Sequence, residues 1–274
     1  MRQALQTFTC AIIMIIMAAT CAAAQEPSQA AVDRPELVEV QRLFYSGNYE
    51  AASALALKIR SAHPDDLDSY EIRASALHFE IKRALRDASG ANIPYKQCTT
   101  CPALLEQFLD ETRKGQEAAR ARVKANPQDN TAEFLLGKLD LNYVWLHLGT
   151  IGRKTGWNEY WEARRSLDAV LKRNPGHVRA RTARAWMEYI VATKTSIATR
   201  WLLGGGNRKR ALTWVREAAS VPNADFYVHT EAEFALWEML VREKNIPDAV
   251  VVARRLAKDF PENKELIAFL KTNG

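Results

Sequence analysis

The sequence is poor in the residues that announce chemistry. Only four cysteines are present, and two of them, Cys10 and Cys21, fall in an apolar leading segment, which leaves Cys98 and Cys101. The five histidines, His63, His78, His147, His177 and His229, share no metal-ligand spacing. There is no GxSxG or HExxH, and no isolated Ser/His/Asp arrangement that would mark a nucleophile and its base. Gly204-Gly205-Gly206 lacks the GxxxxGK[ST] spacing of a phosphate loop. Beyond the leading segment no apolar run could span a bilayer, because Lys194 and Arg200 interrupt the best candidate, Tyr189 to Leu203. These gaps leave no expected catalytic residues, metal ligands or cofactor, and point away from an enzyme.

The first thirty-odd residues look like an address. Arg2 supplies a positive start, Ala11 to Met17 an apolar run, and Ala22-Ala23-Ala24 before Gln25 a small-residue cleavage site. A signal peptide over 1–24 is expected, then a polar tail over 25–32, and a periplasmic or secreted mature chain. Two alternatives stay open. One is a retained anchor, although the apolar run is shorter than the ~20 residues a spanning helix needs. The other is lipidation at Cys21, which Thr20 fits poorly.

Charge is unevenly placed. The chain carries a net +6, yet residues 151–220 alone hold fifteen Lys/Arg against five Asp/Glu. Arg208-Lys209-Arg210 follows Asn207, a good helix N-cap, and so sets three cations at the positive end of a helix, each disfavoured by roughly 0.3–1 kcal/mol. A phosphate, an anionic lipid head or an acidic protein surface would relieve that cost, as would salt in solvent. Nucleic acid fits poorly with an exported chain that carries no recognised binding module.

The chain also repeats itself. Gly47-Asn48-Tyr49-Glu50-Ala51-Ala52 opens a unit that ends at Pro64, and the spacing from Ala52 to Pro64 recurs from Ala163 to Pro175 and from Ala249 to Pro261. A weaker copy runs from Gly115 to Pro127. Apolar residues at helical spacing fill the intervals, among them Leu37, Val40, Leu43 and Phe44, then Leu55, Ile59 and Ala62. A small residue inside a helix, followed by a stopping proline, is the back half of a helical hairpin. The pattern resembles the tetratricopeptide repeat.

That resemblance implies an all-α solenoid of helical hairpins with elongated middle helices. Repeats are expected at about 33–64, 65–127, 128–175, 176–223 and 224–261, with a capping helix over 262–274. In the fourth repeat Arg181 and Arg184 stand where the pattern has bulky packing residues, which implies a shifted register or unusual packing there. Long middle helices, a CxxC loop and a glycine loop are similar to a group of exported bacterial tetratricopeptide proteins. More distantly, they resemble the helical companion subunits of periplasmic solute transporters.

By the same resemblance the first helix of each repeat presents side chains to a concave groove. The groove candidates are Phe134, Lys138, Leu141 and Trp145 in the third repeat, Arg179, Thr182, Trp186 and Tyr189 in the fourth, and Phe234 and Glu238 in the fifth. The expected function is a non-catalytic protein-binding scaffold of the cell envelope. Arg208, Lys209 and Arg210 are expected as a contact for an anionic or acidic partner. One alternative is a transport helper closing over a small solute, with a pore lined by Trp145, Trp186 and Tyr189. The other is a thiol–disulfide enzyme at Cys98-Thr99-Thr100-Cys101, whose cysteines lie at a helix start where thiols are acidified. No strand precedes that motif as in thioredoxin-type units, so a short structural disulfide is the simpler reading.

Overall fold

A computed structural model of the chain describes residues 35–86, 91–153 and 155–274. The expected signal peptide, the polar tail and the first residues of the first expected repeat lie outside the described residues. Among the described residues twelve α-helices follow one another. They are α1 (Pro35–Tyr45), α2 (Tyr49–Ala62), α3 (Leu67–Ala84), α4 (Cys101–Ala125), α5 (Asn130–Val144) and α6 (Trp157–Arg173). The chain continues with α7 (Val178–Lys194), α8 (Ile197–Leu202), α9 (Arg208–Ala219), α10 (Phe226–Arg242), α11 (Ile246–Asp259) and α12 (Lys264–Asn273). A π turn, Trp145–Thr150, prolongs α5.

Local chemistry sets the boundaries. Pro64, Pro127, Pro175 and Pro261 each stand two residues beyond the end of α2, α4, α6 and α11, where the preceding residue is already pushed out of helical geometry. Side-chain caps open α5 and α12: Asp129 accepts from Ala132 N at 2.8 Å, and Asn263 from Leu266 N at 3.1 Å. Between α1 and α2, Gly47 takes a φ of 79°, a left-handed turn that costs glycine nothing.

Packing follows a two-layer rule. Each hairpin helix lies against the next, with α7 packing on α9 across the short α8. In addition α1 packs on α3, α3 on α5, α5 on α7, and α7 on α10. The inner layer is therefore α1, α3, α5, α7 and α10, and the outer layer is α2, α4, α6, α9 and α11. The outer helices bury small residues along their packed faces. Ala52, Ala56, Ala119, Ala163, Ala211, Ala218, Ala249 and Ala253 are all fully buried. Truncating a large neighbour such as Leu139 or Met239 would leave a cavity costing about 2–5 kcal/mol.

The fourth hairpin keeps its arginines by neutralising them. Arg184 is buried, 2.8 Å from Asp168 and 3.0 Å from Glu188, while Arg181 meets Glu217 at 2.5 Å. With those pairs made, α7 packs on α5, α6, α9 and α10 and joins the two largest apolar cores.

Candidate functional site

The inner helices carry the expected groove residues, and they turn them toward one another. Glu71 on α3, Lys138 on α5, Arg179 on α7 and Glu231 on α10 converge into one ion-pair network. Lys138 Nζ lies 2.5 Å from Glu231, and Arg179 lies 2.6 Å from Glu231 and 3.1 Å from Glu71. Burial works against the Glu231 carboxylate, but the Lys138 ammonium and the Arg179 guanidinium outweigh it and hold its pKa down to about 2. Farther along the same helices Lys82 lies 3.5 Å from Glu238, which also holds Arg242 at 2.6 Å.

Aromatic rings also pack against one another from the same layer. Trp145 and Trp186 meet edge to face with centroids 4.4 Å apart, Tyr189 adds a second edge contact at 5.7 Å, and His78 faces Trp145 at 6.4 Å. Burial drives the His78 pKa down to about 3, so its ring is neutral, with Nε2 2.8 Å from the Thr150 hydroxyl.

The first hairpin also touches the last. The Tyr45 ring lies 5.2 Å from Phe234 and 5.7 Å from Phe260. Asn263, which caps α12 with its side-chain oxygen, donates its amide to the Tyr45 carbonyl at 2.7 Å. The superhelical turn of the repeats thus brings its two ends together.

This arrangement corrects the expected exposure of the groove residues. Phe134, Leu141, Thr182, Trp186 and Tyr189 are buried, and Lys138, Arg179, Phe234, Glu238 and Trp145 are bound to partners within the chain. Arg179 stacks over the Phe134 ring at 4.8 Å, the Thr182 hydroxyl donates to the Val178 carbonyl, and the Tyr189 hydroxyl donates to Glu243 at 2.8 Å. The trio expected to line a solute pore packs ring against ring.

Cys98 and Cys101 are joined as a disulfide and both are buried. The Cys101 amide points at Cys98 Sγ at 3.2 Å, so the closed ring caps the start of α4. Among the described residues no three His, Cys, Asp or Glu side chains group as a metal site, and no helix is long and apolar enough to cross a membrane.

What the molecule does expose is an insert in the fourth hairpin. α7 stops at Lys194, and Ser196 caps a six-residue helix, α8, by accepting from Thr199 N at 3.2 Å. Its base is pinned. Arg200 donates to the Ala192 carbonyl at 2.6 Å, and the Leu203 carbonyl accepts from Arg164 at 2.5 Å and from the Tyr160 hydroxyl at 3.2 Å. Gly206 passes so near α7 that a Cβ there would lie 2.6 Å from Ala192 N, which explains why that position of the triplet is glycine. Above this base the apolar side chains point outward: Ile197 is 83%, Trp201 80% and Leu202 66% exposed.

Asn207 caps α9 as its position predicts, accepting from Arg210 N at 3.0 Å. The three cations after it are not alike. Arg210 is tied to Glu188 at 2.7 Å and stacked over Trp214 at 5.3 Å. Arg208 lies 3.6 Å from Glu243 with most of its side chain in solvent, and Lys209 is exposed. Sequence reading missed α8 itself by treating Tyr189 to Leu203 as one stretch. A signal was present, since Ile197, Trp201 and Leu202 share one helical face between Ser196 and the glycines.

No protein-family model matches the chain, and no curated protein matches it. Among solved structures it is similar to a thermophilic TPR protein in Thermus thermophilus. The identity is 16% and the TM-score 0.49, with 87% of this chain and 97% of that one covered. At that distance no partner or activity passes from it to this chain.

Proposed function

We propose that this chain is a non-catalytic binding scaffold of the bacterial cell envelope that engages its partner through the insert of its fourth hairpin. The closed solenoid serves as the rigid body that holds the insert out. The observation that carries this reading is α8, an apolar helix largely in solvent on a base fixed by Arg164, Tyr160 and Arg200. A soluble chain rarely leaves a tryptophan, an isoleucine and a leucine together in water unless that patch meets something. Recognition on the concave face would first have to break the Lys138–Glu231 and Arg179–Glu71 pairs and separate Trp145 from Trp186.

Photo-cross-linking in the envelope fraction tests the reading. With the cross-linking residue at position 202, a discrete adduct is expected, and with it at 138 none. An adduct at 138 and none at 202 would return recognition to the concave face and overturn the proposal.

A further inference from the structure

Resting on that reading of the insert, the geometry points to a particular occupant: we infer that α8 docks onto an anionic lipid surface. Three observations converge.

The first is the chemistry of the tip. Ile197, Trp201 and Leu202 project together, and a tryptophan flanked by aliphatics is the side-chain set that settles at the boundary between head groups and acyl chains. An acidic protein patch would match the charges around the insert but would give these three side chains no apolar medium to enter.

The second is charge. Between Glu188 and Glu217 the chain holds six cations, Lys194, Arg200, Arg208, Lys209, Arg210 and Arg216, and no Asp or Glu. Three of them are spent on the protein, Arg200 on the Ala192 carbonyl, Arg210 on Glu188 and Arg216 on Asp248. Lys194 at the foot of α8, with Arg208 and Lys209 just beyond the glycines, remains in solvent on either side of the apolar tip. Each such cation near an anionic leaflet adds attraction that fades within a Debye length.

The third is the neighbouring surface. Trp157 on α6 lines an apolar crevice together with Leu203 at the base of α8, and Trp161 lies beneath Arg164, which holds the Leu203 carbonyl. Both tryptophans are more than a third exposed. Leu203 and Arg164 thus link the base of α8 to this exposed tryptophan pair, and the base that fixes α8 also sets its position relative to those rings. No span is involved: α8 is far too short to cross and would lie in the interface.

The test is partitioning of the full-length protein onto vesicles of phosphatidylglycerol and onto vesicles of phosphatidylcholine, with the native N-terminus common to all variants. The wild type should bind the anionic vesicles more strongly, and about 0.5 M salt should weaken that binding. Trp201→Ala/Leu202→Ala and, separately, Arg208→Glu/Lys209→Glu should each reduce partitioning to anionic vesicles by about tenfold or more. Vesicles with brominated acyl chains should quench part of the tryptophan emission of the wild type, and Trp201→Phe should bind yet lose that part. Equal partitioning of wild type and both double variants would overturn the inference, because the N-terminal segment would then account for the binding. An adduct to a protein at position 202 without vesicle binding would also overturn it while leaving the scaffold reading intact. Loss of both would end both readings.

Discussion

The interior of the solenoid and the insert of the fourth hairpin treat the same kinds of residue in opposite ways. Inside, Trp145 and Trp186 touch each other, and Lys138, Arg179 and Glu231 neutralise one another. In the insert Trp201 has solvent on most of its surface, and Arg208 and Lys209 stand at the rim. The lesson is that aromatic and charged side chains at repeat positions mark contact, but only the fold says with what. Where successive inner helices close on each other, the partner is the next helix. Where a hairpin is interrupted, the same chemistry is left facing solvent.

The contrast is sharpest in the energetics of substitution. Glu111 is fully buried between the guanidinium groups of Arg60 and Arg73. Glu111→Ala should cost about 3–5 kcal/mol, because two cations lose their counter-charge away from water. A chemical-denaturation midpoint would register it, and a loss under about 1 kcal/mol, the scale of an exposed pair, would mean that the interior is wetter than described. Trp186→Ala should cost about 3–5 kcal/mol in the same assay by opening a cavity beside Trp145. Trp201→Ala, removing the same side chain from the insert, should stay within about 0.5 kcal/mol of wild type. Equal losses at the two tryptophans would erase the distinction.

Titration gives a subtler separation. Asp140 is buried against Gln116 and beside Glu162, and burial together with the Glu162 carboxylate raises its pKa from the ordinary 3.8 to about 9. The folded state keeps a proton that the unfolded chain releases, so stability falls as pH rises from about 4 toward 9. Asp140→Asn should therefore be more stable than wild type at about pH 8, with the gap closing near pH 4. A gap that persists at the acid end would point to packing instead.

On the acid side burial lowers the pKa of His78 to about 3 and that of His177 to about 4. The unfolded chain takes up those protons first, so stability should drop as pH falls below about 6.5 toward those values. His78→Phe should flatten part of that slope, and an unchanged slope would show that His78 is not the group responsible. Partitioning of the insert onto lipid should not follow either interior titration.

Much of the fold was legible because helical hairpins are written locally. The four prolines, the buried alanines and caps such as Asn207 each act within a few residues, and the structure uses them as read. The disulfide at the start of α4 was also within reach of spacing alone.

The candidate site was less legible, for two physical reasons. Whether a concave face is open depends on the summed turn of five hairpins, and contacts such as Tyr45 to Phe234 or Asn263 to Tyr45 join residues that no local pattern relates. Hydropathy also hid α8: its apolar residues continue those of α7, and little but Ser196 separates the two helices in sequence. Arg181 and Arg184 show the same limit from the other side. They looked like a fault in the repeat and proved to be paired with acids on α6, α7 and α9.

The most direct test of the closed interior and the available insert is hydroxyl-radical footprinting of the tryptophans, read by mass spectrometry with and without envelope membranes. Alone, the protein should be oxidised at Trp201 far faster than at Trp145 or Trp186, and membranes should protect Trp201 while leaving the interior pair unchanged. Rapid oxidation of Trp186 in the free protein, with protection there and none at Trp201 on adding membranes, would contradict the account.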